Sequence, residues 1–337
     1  FGNTIWTAGM QSHDAISLSH KHDNISLFFA YILAVENDRV TDPNDSTDRE
    51  SLLAHLNIKG VLGGQLSVYL NWDTNSSAIA AQTLENDIAT IGFRQAGKMF
   101  GLDYRGEYYH QWGSGNGQKD TSLLNNTLTV AQRNATLLTD ADRDAYMFGL
   151  RVGKSFNNVS FKPGLTVWYD YLSGTTDDDQ RGSSWNSFNT LYDTGHKFYG
   201  LQDVFLGVGG GGAAGTQGLG LQDFALKGKI NPMPGWTLKA HYHWFWTAEG
   251  VAPNTTTRNF ANTTALAGGD PDLGNFLGNE LDITAVTKMN ANTKVMIGYS
   301  NYNPTYSFAS LKDTGAPGTT FGTNAADWAY VQFDVKF

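Results

Sequence analysis

The final stretch of the chain, residues 327–337, alternates without a break. Ala329, Val331, Phe333, Val335 and Phe337 share one face, and Trp328, Tyr330, Gln332, Asp334 and Lys336 share the other. Side chains of a strand alternate with a period of two, so this segment is an apolar surface backed by a wet one. A strand of this kind closing on an aromatic residue is the habit of outer-membrane β-barrels, whose apolar face meets lipid and whose polar face meets a watery lumen. The pattern predicts a chain that crosses a membrane through strands.

Composition agrees with that reading. Hydrophobic content is 40% and mean hydropathy −0.34, values at which a barrel passes as soluble because half of each strand is polar. No run of about 18 apolar residues exists, which excludes a transmembrane helix. Tyr 15, Phe 19 and Trp 9 supply rings for interfacial girdles, and Gly 38 with Pro 8 suits sheet and loops. Without cysteine there is neither a disulfide framework nor a thiolate metal site. A net charge of −9 argues against a nucleic-acid partner. The sequence has no initiating Met and no signal peptide, and Phe1 opens in mid-motif, as expected of a mature or truncated product.

The alternation recurs. Leu66, Val68, Leu70 and Trp72 oppose Gln65, Ser67, Tyr69 and Asn71; Asp103, Arg105, Glu107, Tyr109 and Gln111 oppose Leu102, Tyr104, Gly106 and Tyr108. Strands are expected near 13–20, 25–36, 50–59, 65–72, 86–96, 102–112, 144–154, 159–172, 219–230, 236–247, 277–289, 294–303 and 327–337. Each is close to the roughly 9–11 residues that a tilted strand needs to cross a bilayer. Short connections (21–24, 60–64, 97–101, 155–158, 231–235, 290–293) alternate strictly with long ones (37–49, 73–85, 113–143, 173–218, 248–276, 304–326). Tight periplasmic turns and large extracellular loops have that arrangement, whereas a soluble sandwich has no reason to segregate loop length by end. The expected fold is therefore an all-β, antiparallel, up-and-down transmembrane β-barrel filling 1–337 as one domain. Parity makes 195–206 part of the long extracellular excursion 173–218, expected to fold into or over the pore, rather than a spanning strand. Thirteen strands is an odd count, so further strands are expected before Phe1.

Several segments resemble one family. Gly2, Asn3, Trp6 and the run from Gln11 to Leu18 open the likeness. His196, Lys197, Phe198, Gly200, Asp203 and Phe205 form its most specific stretch; 240–244, 277–283 and 298–302 continue it in order. Together they resemble the alginate-export family of bacterial outer-membrane β-barrel porins. That resemblance implies about eighteen strands in the full protein and a channel for a solute or polymer, with no settled substrate.

On the lumen parity lie eleven basic residues (Lys59, Arg94, Arg105, Arg151, Lys162, Lys227, Lys229, Lys239, Lys288, Lys294, Lys336) against eight acidic ones (Asp73, Asp103, Glu107, Asp170, Asp223, Glu280, Asp282, Asp334). The chain as a whole is acidic, so charge is sorted by location. A basic lining in a narrow pore concentrates anions; the competing reading is that these groups pair across strands and keep the wall wet. Arg94, Arg105, Arg151, Lys227, Lys239, Asp103 and Glu107 are the candidate lining residues for anion or sugar contacts. His196, Lys197, Asp203, Gly209 and Gly210 are candidates for a constriction. The expected function is passive passage of hydrophilic, anionic or carbohydrate solutes or polymers, with outer-membrane lipid and lipopolysaccharide as surroundings and no cofactor.

Other chemistry is set aside. His241 and His243 share a face, but two imidazoles without a third partner make a weak metal site. Asp177, Asp178 and Asp179 read as a solvated loop, with calcium or a cation bridge to lipopolysaccharide as the alternative. The glycine run 207–212 lacks the Lys-Ser/Thr of a phosphate loop. A serine hydrolase needs Ser, a His base and an orienting group within reach; His55, His241 and His243 point inward and no Gly-x-Ser-x-Gly occurs. A scaffold barrel sheathing a partner protein or electron carrier is the second reading.

Overall fold

The computed structural model describes residues 14–35, 49–79, 82–118, 138–176, 179, 184–190, 198–205, 215–216, 218–251, 274–312 and 322–336. The strands are β1 (Asp14–His22), β2 (Ile25–Val35), β3 (Arg49–Val61), β4 (Gly64–Ile79), β5 (Gln82–Met99), β6 (Leu102–Gln118), β7 (Leu138–Ser155), β8 (Gly164–Leu172), β9 (Ser184–Trp185), β10 (Leu221–Ile230), β11 (Trp236–Trp246), β12 (Phe276–Lys288), β13 (Thr293–Pro304) and β14 (Ala326–Val335). Each long strand pairs antiparallel with the next in one sheet, and β8 pairs β10 directly. The two-residue β9 lies off this path, parallel to β7. Among the described residues, no pairing joins β1 to β14. No helix among them is long and apolar enough to cross a membrane.

All thirteen expected spanning strands are present, and several of the boundaries move. β8 begins at Gly164, not near 159, because Pro163 has no N–H for the ladder and Phe161 and Lys162 turn through positive φ (61° and 43°). Lys162 therefore sits in a turn, not on the inner wall. The stretches 73–85 and 113–143 are not wholly loop: pairing continues to Ile79↔Gln82 and to Gln118↔Leu138. Sheet that rises past the bilayer needs no lipid-facing apolar code, so its residues read as polar loop. In the connection after β13, Tyr306–Lys312 forms helix α1, with Thr305 as N-cap accepting from the Phe308 N–H at 3.3 Å.

Burial runs opposite to that of a globular protein. Leu18, Phe29, Leu70, Phe93, Leu150, Leu165, Ile297 and Phe333 are exposed on the outside, while Asp73, Asp170, Asp223 and Glu280 are fully buried on the inside. The turns β3–β4 and β5–β6 each use two residues with positive φ, Leu62 with Gly63 and Phe100 with Gly101, the twist that suits a tight hairpin. At the loop end, Leu172, Leu221, Phe245, Leu277 and Tyr302 of the strands pack with Phe188, Tyr199, Phe205, Leu219, Val251 and Leu311 of the connections. Each such side chain contributes about 1.5–3 kcal/mol when fully buried, so a small apolar core ties the connections to the loop end of the sheet.

Candidate pore lining

Strand register brings the inner charges into contact. Arg105 faces Arg151 across β6–β7, and Arg151 faces Trp168 across β7–β8. Two guanidinium groups side by side need carboxylates between them. Glu107 supplies one, receiving Arg105 Nη2 at 2.6 Å and Arg151 Nη1 at 2.7 Å. Asp170 supplies the other, with both oxygens 3.2 Å from Arg151 Nη2, and it accepts the Trp168 indole N–H at 2.8 Å. Gly149 makes room: a Cβ there would lie 2.6 Å from an Asp170 oxygen. The Trp168 ring carries Arg151 at 3.5 Å and Lys227 at 3.8 Å from its centroid, so two cations share one indole.

A second cluster lies further round the wall. His243 Nδ1 is 2.9 and 3.0 Å from the two Asp223 oxygens, and its Nε2 is 3.9 Å from Asp282 Oδ2. Ser300 donates to Asp282 Oδ1 at 2.6 Å. On β3 and β4, Ser51 donates to Asp73, Asn57 accepts from Gln65 and Ser67, and His55 stacks on Tyr69 at 4.3 Å.

Segments from the long connections lie against this wall. Glu280 Oε1 accepts the backbone N–H groups of Leu201 (2.7 Å) and Gln202 (3.0 Å). Gly200 permits that approach: its φ is 83°, and a Cβ would sit 2.5 Å from Glu280 Oε2. Asn189 is bound twice by Gln111, and Arg143 donates to the Ser187 carbonyl at 2.8 Å.

Arg94, Arg105, Glu107, Arg151, Lys227 and Lys239 lie on the inward register, and Asp103 pairs with Lys98 at 2.8 Å near the turn. Asp203 is held at a φ of 55° beside the docked segment; His196, Lys197, Gly209 and Gly210 lie outside the described residues, as do Asp177 and Asp178. Asp179 is tied to the Thr176 hydroxyl at 2.6 Å. Sequence reasoning missed Trp168 and Arg143, although both follow the inward parity of Asp170 and Arg151. It also missed Asp282 as a neighbour of His241, which only the β11–β12 register reveals.

These features define the class: an outer-membrane β-barrel with lipid outside, ion-paired polar groups inside and long loops at one end. The family described as Alginate export matches residues 6–306, and the chain belongs to that family. No curated protein matches. Among solved structures, Pseudomonas aeruginosa OccK11 (OpdR) is similar at 10% identity with TM-score 0.47, covering 98% of this chain and 72% of that one. The FrpB iron transporter of Neisseria meningitidis gives 10% and 0.45, covering 97% and 50%. OmpT, an outer membrane protein of Vibrio cholerae, gives 9% and 0.36, covering 96% and 89%. Membership of the family, with a sheet that is apolar outside and ion-paired inside, makes the protein a porin-like channel of the bacterial outer membrane.

Proposed function

We propose that this barrel passes hydrophilic anions, sugar acids among them, selected by a basic water-accessible lining. One observation carries the reading. Asp73, Glu107, Asp170, Asp223, Glu280 and Asp282 are all buried, whereas Lys59, Lys229 and Lys239 are exposed and Arg94, Arg105 and Lys227 are half-buried. The carboxylates are withdrawn behind the surface, most of them against a guanidinium, imidazole or hydroxyl partner, so the charge facing water is positive. The loop segments docked on Glu280, Gln111 and Arg143 act as the constriction, with Asp203 at its edge. No covalent step is involved; the wall sorts solutes by width and potential.

The test is single-channel recording in a planar bilayer with a salt gradient. A reversal potential of anion-selective sign is expected. Cation selectivity would refute the anion reading, and absence of conductance would favour the scaffold that sheathes a partner.

A further inference from the structure

His241, His243 and Asp282 are brought together by the sheet alone. His241 faces Asp282 directly across β11–β12, and His243 follows His241 on the same face. One ligand atom from each can be chosen so that all three lie within 4.8 Å of one another. Asp223 orients the second imidazole. An ionised Asp223 only accepts, so His243 Nδ1 carries a hydrogen and Nε2 is the nitrogen left to face Asp282. Nε2 lies 3.9 Å from Asp282 Oδ2, too far for a hydrogen bond. A carboxylate holding the remote nitrogen of a ligand histidine is the usual support of a metal site.

Asp282 supplies an independent sign. Its side chain is 2% exposed, and Oδ2 is buried with no hydrogen-bond partner among the described residues. Glu280, two residues earlier on the same face, meets Asp282 side chain to side chain, and its Oε2 has no other donor among the described residues. Two buried carboxyls in contact need a shared proton or a cation beside them, and a cation bound between Oδ2 and the imidazole nitrogens meets that need. Lys227, the cross-strand neighbour of His241, opposes a cation, but its ammonium is drawn over Trp168 at 3.8 Å.

We infer that His241, His243 and Asp282 form a binding site for a divalent transition-metal ion on the inner wall, oriented by Asp223 and open to the lumen beside His241. Two imidazoles and one carboxylate suit zinc, nickel or copper better than calcium or magnesium, which prefer all-oxygen shells. Bonds of about 2.0–2.2 Å put tetrahedral ligand atoms roughly 3.3 Å apart. A modest side-chain rotation of the half-buried His241, which makes no hydrogen bond among the described residues, closes the triad. The inference does not depend on the anion reading, because its test measures binding and not current.

The experiment uses the folded full chain in detergent, purified without a polyhistidine tag, stripped with chelator and titrated with zinc. One saturable zinc per chain is expected, with affinity in the order copper, zinc, calcium. His241→Ala should weaken it at least tenfold without unfolding the barrel, Asp223→Asn by about tenfold, and His55→Ala not at all. Cobalt should give visible absorption bands in wild type that vanish in His241→Ala. Absence of one-to-one binding, unchanged affinity in His241→Ala, or tighter calcium than zinc would each overturn the site.

Discussion

Lys229, Lys239 and Arg105 sit within a few residues of the periplasmic turns and keep water beside them; Asp170, Asp223 and Glu280 sit nearer the loops and lose it. The two halves of the inner wall manage charge differently. Near the turns, basic groups are left at the water surface, where an isolated charge costs little. Near the loops, carboxylates are enclosed and each is met by a guanidinium, an imidazole, an indole N–H or backbone N–H groups. Enclosed charges of this kind are destabilising unless fully partnered. On the proposed function, the enclosed half of the wall carries rigidity and the water-facing half carries selectivity.

The comparison can be broken at its strongest point first. Asp170→Ala leaves Arg151 with Glu107 alone and should lower stability by about 3–5 kcal/mol, read as unfolding in detergent; a loss below about 1 kcal/mol would mean that the enclosed network is not structural. Next, Gly200→Ala forces a Cβ against Glu280 at a positive φ. It should cost about 1–3 kcal/mol and raise single-channel conductance as the docked segment lifts. Unchanged conductance would remove residues 198–205 from the constriction.

The turn-side half is sharpened by charge reversal. Arg105→Glu combined with Lys239→Glu should shift the anion-to-cation permeability ratio by about tenfold, since reversing charges that each act through about 1 kcal/mol in water approaches one decade. Lys239→Ala alone should leave stability within about 0.5 kcal/mol. Finally, anion preference should fall between 0.1 M and 1 M salt, as the screening length drops from about 10 Å to about 3 Å. A preference independent of salt would locate selectivity among the enclosed groups instead.

The strands were legible because lipid on one side and water on the other impose a period of two on every spanning residue, as in 327–337. Where one of those solvents is missing, legibility fails. The upper parts of β4 to β7 lie beyond the bilayer-length portion of the sheet, carry no period-two apolar code and read as loop; α1 and β9 depend on packing in the mouth. The site was legible one strand at a time: parity placed Arg105, Glu107 and Arg151 inward. It could not show that Trp168 lies between Arg151 and Lys227, or that Asp282 meets His241, because those facts belong to register between distant segments.

The ladder joining β6 to β7 holds one consequence. β7 has 18 residues, about 60 Å of chain at roughly 3.3 Å each, against a hydrocarbon layer of about 30 Å. Tilted by about 45°, the strand rises about 42 Å, so its upper end passes the hydrocarbon while still paired to β6. The register runs unbroken from Gln118↔Leu138 down to Asp103↔Gly153, so one ladder of hydrogen bonds ties the rim of the sheet to the spacing of Arg105 and Arg151.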